Sequence, residues 1–258
     1  MQIVADSHVH IYPNFISRGL FPAIAARMDA LAGGPHVNIL CLAERRGSDW
    51  FKSAKKGKLS AAGDFSVETL ASDEVGIIIS SGDASPIYVM AGRQIVTRER
   101  LEILALVCDA KTGDGLPARD VVSAVLDEGG IPVVSWAPGK WSLGRGAVVK
   151  DLLERMGPGR LLVGDSAIRP KSWAEPSLMS FARGLGITVV AGSDPLPLDG
   201  EEKYIGSYCS RFDCELDRSR PAAAVREFLR SEGAVTASVG GRCSLLAMMS
   251  RLVRLRFG

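Results

Sequence analysis

The chain has 258 residues, 47% hydrophobic and 23% charged, with a formal net charge of +2. That composition supplies a full core and excludes a disordered chain. So small a net charge gives no argument for nucleic acid, and no run approaches the roughly 18 apolar residues of a membrane span, so neither partner is expected.

Taken in order, the first predicted strand, Gln2 to Asp6, leads into Asp6-Ser7-His8-Val9-His10, which holds two of the chain's three histidines. Residues i and i+2 of an extended segment point to one side, so His8 and His10 present two imidazoles together, as a divalent metal requires. No leader-like apolar stretch precedes them, and a cytoplasmic location is the expectation. A helix is predicted over Phe15 to Leu31 and a strand over Val37 to Leu42, which runs on to Glu44 and Arg45. Lys52 to Asp64, rich in Lys, Gly and Ala, reads as a solvated loop. Strands follow at Val75 to Ser80, Ile87 to Ala91 and Leu101 to Val107, the second of them continuing into Arg93 and Gln94.

From there apolar β-branched runs and amphipathic segments alternate. Helices are predicted at Ala118 to Glu128, Gly146 to Met156 and Glu175 to Gly184. The strands between and after them are Ile131 to Ser135, Arg160 to Gly164 (followed by Asp165) and Ile187 to Ala191 (followed by Ser193 and Asp194). Two more helices lie near Arg220 to Ser231 and Ser244 to Arg254. The last carries Arg251, Arg254 and Arg256 beside an apolar stripe and is expected to pack on the outside of the fold. The five cysteines, Cys41, Cys108, Cys209, Cys214 and Cys243, read as free thiols. This alternation predicts one α/β domain over 1–258, a TIM-like (β/α) barrel whose chemistry sits at the C-terminal ends of its parallel strands.

In their order along the chain, these motifs resemble the polymerase and histidinol phosphatase (PHP) superfamily, metal-dependent phosphoesterases on a distorted seven-stranded barrel. Asp6-Ser7-His8-Val9-His10 matches the opening Asp-x-His-x-His. The Thr-Asp-His motif lines up with Ala43-Glu44-Arg45, and Gly-x-Glu with Gly92-Arg93-Gln94, where an amide replaces the bridging carboxylate. Ser135 stands about where a histidine belongs. Gly192-Ser193-Asp194-Pro195-Leu196 keeps the closing aspartate and loses the final histidine.

The resemblance implies one divalent ion, zinc or manganese, on His8, His10 and Asp194, with Glu44 or Asp165 as general base. Arg45, Arg93 and Arg169 are expected to steady negative charge at a cationic mouth that also includes Lys140 and Arg145. The implied activity is hydrolysis of a small anionic, phosphate-containing substrate. Two other readings stay open: a non-catalytic anion-binding barrel and an amidohydrolase-type C–N hydrolase.

Overall fold

The structure, a computed structural model, describes residues 1–59 and 64–257. Its strands are β1 (Gln2–Val9), β2 (His36–Leu42), β3 (Ser66–Thr69), β4 (Gly76–Ser80), β5 (Ile87–Met90), β6 (Gly92–Val96), β7 (Glu102–Leu106), β8 (Ile131–Ser135), β9 (Leu162–Ser166), β10 (Val189–Gly192), β11 (Tyr208–Asp213) and β12 (Ala237–Gly240). Its helices are α1 (Leu20–Asp29), α2 (Trp50–Lys55), α3 (Ala118–Asp127), α4 (Arg145–Met156), α5 (Ser177–Gly184), α6 (Pro221–Arg230) and α7 (Leu245–Phe257). All eight predicted strands form, and β3, β6, β11 and β12 join them. The predicted loop from Lys52 begins inside α2, and its residues 60–63 lie outside the described residues.

The closed parallel barrel expected from the sequence is not found. The strands form two open, mixed sheets, ordered β12-β11-β1-β2-β5-β4-β3 and β10-β9-β8-β7-β6. The reason lies in the connections. A parallel return needs a crossover of about a dozen residues, but β4 to β5 and β6 to β7 are joined by far shorter links and pair antiparallel. β11 also runs antiparallel to β1. The chain passes from the first sheet to the second through Ala91 alone, between β5 and β6.

Strand alternation distributes the core. On β1, Ile3 and Ala5 face a cluster shared with Leu104, Val133, Leu162 and Val190 of the second sheet, while Val4 faces Ile24 and Met28 of α1. The outer side of the second sheet packs on α3, α4 and α5 through residues such as Ile103, Val121, Leu152 and Met179. The result is helices, sheet, apolar interior, sheet, helices, with each strand's period of two serving both layers.

The sheets meet along two seams. At one, Asp194 N donates to His8 O (2.9 Å). At the other, Glu44 N donates to Gly92 O and Gln94 N to Glu44 O (both 3.0 Å). Both seams need glycine for close approach: a Cβ on Gly192 would lie 2.5 Å from His8 Cβ, and one on Gly92 2.1 Å from Leu42 O.

Helix α7 packs on the outside of the fold, burying only Met248 and Arg251. Arg251 is buried against Glu201, and Leu252 and Leu255 line the cavity described below. All five cysteines are free. Burial lifts Cys41 and Cys108 to about 12, which makes them inert packing groups. Among the described residues no helix is long and apolar enough to cross a membrane.

Candidate metal centre

Asp6 joins the ends of β1 and β10. Its Oδ1 accepts the N–H groups of Ser193 (2.8 Å) and His8 (3.3 Å), and its Oδ2 accepts that of Gly206 (2.8 Å). Burial pushes its carboxyl up to about 6, with Ser193, Gly206 and His8 opposing the shift. The acid that opens the motif is therefore a clamp. Asp194 follows in the left-handed region at φ +49°, a conformation that few residues other than glycine adopt and that persists where surroundings over-determine it. Here the surroundings are His8 O on its backbone N–H and Ser166 Oγ, which donates to its Oδ2 at 3.1 Å.

Four electron-pair donors converge on one point. His8 Nε2 lies 3.1 Å from His10 Nε2, 3.2 Å from Gln94 Oε1 and 3.5 Å from Asp194 Oδ1, and His10 Nε2 is 3.7 Å from the same carboxylate oxygen. Ligating atoms of His8, His10 and Asp194 all lie within 4.8 Å of one another. The three side chains are buried, not exposed at a mouth. Burial, helped by His8, pulls the His10 imidazole down to about 3, so it is neutral at neutral pH, the form that ligates metal. On its other edge, His8 Nδ1 sits 3.3 Å from Ser135 Oγ. With the proton on Nδ1, that hydroxyl accepts its hydrogen bond and Nε2 is free as a ligand. This donor set fits a divalent ion. Gln94 and Ser135 thus both touch His8.

The other predicted residues divide. Arg45 lines the same cavity as His10 and Asp194, a space of about 390 Å³. Glu44 does not line it: its Oε1 accepts Phe51 N (3.2 Å) and Ser48 Oγ (3.4 Å), tying down the start of α2. Burial raises its pKa, against hydrogen bonds from Phe51 and Trp50. Arg93 and Gln94 are adjacent on β6 and so point to opposite faces, which sends Gln94 to His8 and Arg93 away from it. The same alternation on β9 sends Ser166 to Asp194 and Asp165 elsewhere.

Asp165 and Arg169 serve each other. Arg169 Nε donates to Asp165 Oδ1 at 2.7 Å and Nη2 to Oδ2 at 2.6 Å, Tyr208 Oη donates to Oδ2 at 2.7 Å, and Nη1 donates to Trp173 O and Ala174 O. Neither lines the cavity. Lys140 lines it but is held 2.8 Å from Glu102, and Arg145 donates to Gly139 O, so the broad cationic mouth contracts. His36 pairs with Asp29 at 2.9 Å, away from the site.

Three residues of the site escaped the sequence reading. Tyr12 continues the i, i+2 series after His10 and stacks on it at 5.7 Å between centroids, a signal that was available. Burial lifts its phenol to about 12, against a neighbouring Arg45. Glu102 enters because it faces Ser135 across the β7–β8 ladder. Arg251 donates from Nε to Glu201 Oε1 (2.9 Å) while Glu201 Oε2 takes Leu196 N (3.1 Å), which anchors the loop after Asp194 to α7. No local motif announces that pair.

No family model and no curated protein matches the sequence. Among solved structures, PsfC from Pseudomonas syringae PB-5123 is 15% identical with a TM-score of 0.59, covering 100% of this chain and 99% of that one. The lesion-specific endonuclease PfuEndoQ from Pyrococcus furiosus is 14% identical with a TM-score of 0.53, covering 89% of this chain and 56% of that one. An Endonuclease Q complex with a 27-mer duplex carrying an abasic lesion gives 13% and 0.49, covering 89% and 57%. The chain shares its fold with PsfC and with PfuEndoQ. This chain spans little more than half of the endonuclease it resembles. The expectation that nucleic acid is no partner is withdrawn, because a chain of this fold is an endonuclease and net charge is blind to where cations sit.

Proposed function

We propose that this protein is a metal-dependent hydrolase of phosphoesters. The observation that carries the reading is the convergence of His8 Nε2, His10 Nε2 and Asp194 Oδ1 beside a cavity that Arg45 also lines. His8, His10 and Asp194 would hold one divalent ion, zinc or manganese. Such an ion, when bound, supplies Lewis-acid activation of water and of the phosphoryl oxygen. The chain's own residues do the rest: Ser135 and Ser166 orient His8 and Asp194, Arg45 and the neutral Tyr12 hydroxyl offer donors to an anion, and Leu252 and Leu255 of α7 keep bulk water from one wall. Glu44, Asp165 and Arg169 are assigned no part in it, since their hydrogen bonds hold structure.

The test is hydrolysis of bis(p-nitrophenyl) phosphate by protein loaded with zinc or manganese, beside elemental analysis. We expect about one ion per chain and hydrolysis lost in the His8→Ala/His10→Ala variant. Wild-type protein that holds metal but cleaves no phosphoester faster than that variant would overturn the reading. It would favour a non-catalytic anion-binding protein, to which the neutral Gln94 and Ser135 also point.

A further inference from the structure

Beyond the triad, the cavity does not end. Tyr12, Arg45 and Gln94 are shared with a larger chamber of about 540 Å³. That chamber shares Arg46, Gln94 and Asp114 with a third space of about 300 Å³, where Arg93 lies. The three spaces thus share walls in a series that begins at His10 and Asp194. Its middle is apolar, walled by Ile11, Ile16, Trp50 and Val96. Its cations differ from the others near the site.

Lys140, Arg169 and Arg251 are each neutralised by a carboxylate. Among the described residues Arg45, Arg46 and Arg93 form no ion pair within 4.0 Å. The acids on the walls of the chamber and the third space are Asp49 and Asp114, and Val96 N donates to Asp114 Oδ1 (2.9 Å). Glu44 feels the Arg93 charge, but its Oε1 accepts from Phe51 N and Ser48 Oγ. Arginines left unpaired at both ends of an apolar chamber suit a ligand with two phosphates separated by a less polar unit.

We propose that this series of spaces, from Arg45 over Arg46 to Arg93, binds a second phosphate of the substrate, beyond the one that is cleaved, with the intervening sugar and base in the chamber beside Tyr12 and Trp50. The substrate class is therefore a single-stranded phosphodiester chain. This rests on the phosphoester reading above and adds to it the length and charge of the substrate. Base stacking on aromatic side chains and a line of cations along the backbone are how strands are held without sequence preference.

Binding is measured by fluorescence anisotropy of a short labelled oligothymidylate, on the full chain kept in chelator so that nothing is cleaved. We expect affinity to fall with salt, and the log–log slope to become shallower by about 0.7 for each phosphate contact removed in Arg46→Ala or Arg93→Ala. Arg218→Ala is the control. It follows β11, whose Asp213 pairs with Gln2 at the opposite end of β1 from His8, and it is exposed. Thymidine monophosphate and pyrophosphate should compete poorly. Equal slopes in all three variants, no binding at low salt, or pyrophosphate competing as well as the strand would overturn the proposal. Because binding is read without metal, it stands or falls separately from hydrolysis of the simple diester.

Discussion

Two buried clusters at neighbouring strand ends look alike in composition and differ in what they leave unsatisfied. Asp165, on β9, is enclosed by Arg169 and Tyr208, with every carboxylate oxygen taken by a donor. Asp194, after β10, faces two imidazoles and an amide oxygen, all capable of donating electron pairs toward one point. The first cluster is closed electrostatically and holds its loop to the sheet. The second gathers lone pairs with too few protons to share, an arrangement that a cation completes. Ser166 stands between them, since its backbone N–H donates to Asp165 Oδ1 (3.0 Å) while its hydroxyl donates to Asp194 Oδ2. What separates a site from a brace is thus the balance of donors and acceptors, not burial or place on the strand.

The largest effect should come from breaking the closed cluster. Arg169→Ala leaves Asp165 buried without its cation, and about 3–5 kcal/mol of stability should be lost in urea unfolding. A loss below about 1 kcal/mol would mean that water replaces the guanidinium and that the contrast between the clusters is false. Next is the open cluster. Zinc or manganese at one hundred times its dissociation constant should stabilise wild-type protein by about 2.7 kcal/mol, and His8→Ala/His10→Ala should show no such gain. Thermal melts with and without metal read this, and an unchanged gain in the double variant would remove the triad as the ion's seat.

Asp6→Asn tests the clamp beneath the open cluster. The amide must place an NH₂ group against a backbone N–H, at a cost of about 1–3 kcal/mol. The variant also carries a pH signature. The folded carboxyl, lifted by burial to about 6 from 3.8, holds its proton to higher pH than the unfolded one. Its contribution to stability is therefore complete below about pH 3.8 and is lost as pH rises through about 6. Unfolding midpoints followed across that range should carry this slope in wild type, and Asp6→Asn should remove it. The smallest effect is Ser166→Ala, which frees one oxygen of Asp194. It should cost about 1 kcal/mol and weaken metal retention about tenfold, the size expected when a partner of a ligand is lost. Full retention would show that Asp194 needs no help from its neighbour.

The sequence by itself placed eight of the strands, brought His8 and His10 to one side of the first of them, and ordered Asp194 after Gly192. Those features are local, since extended geometry over two residues fixes the pair and close packing at the seam requires the glycine. The resemblance also singled out Gln94 and Ser135, and both touch His8.

Only the tertiary structure decided that the sheets stay open, because strand direction depends on how far each link can reach. It decided that Asp165 and Arg169 satisfy each other while, among the described residues, Arg45, Arg46 and Arg93 form no ion pair within 4.0 Å, and that Arg251 of α7 meets Glu201 beside the cavity. Whether a buried charge is neutralised depends on side chains that meet across distant strands, as Tyr208 meets Asp165, and no spacing along the chain encodes that meeting.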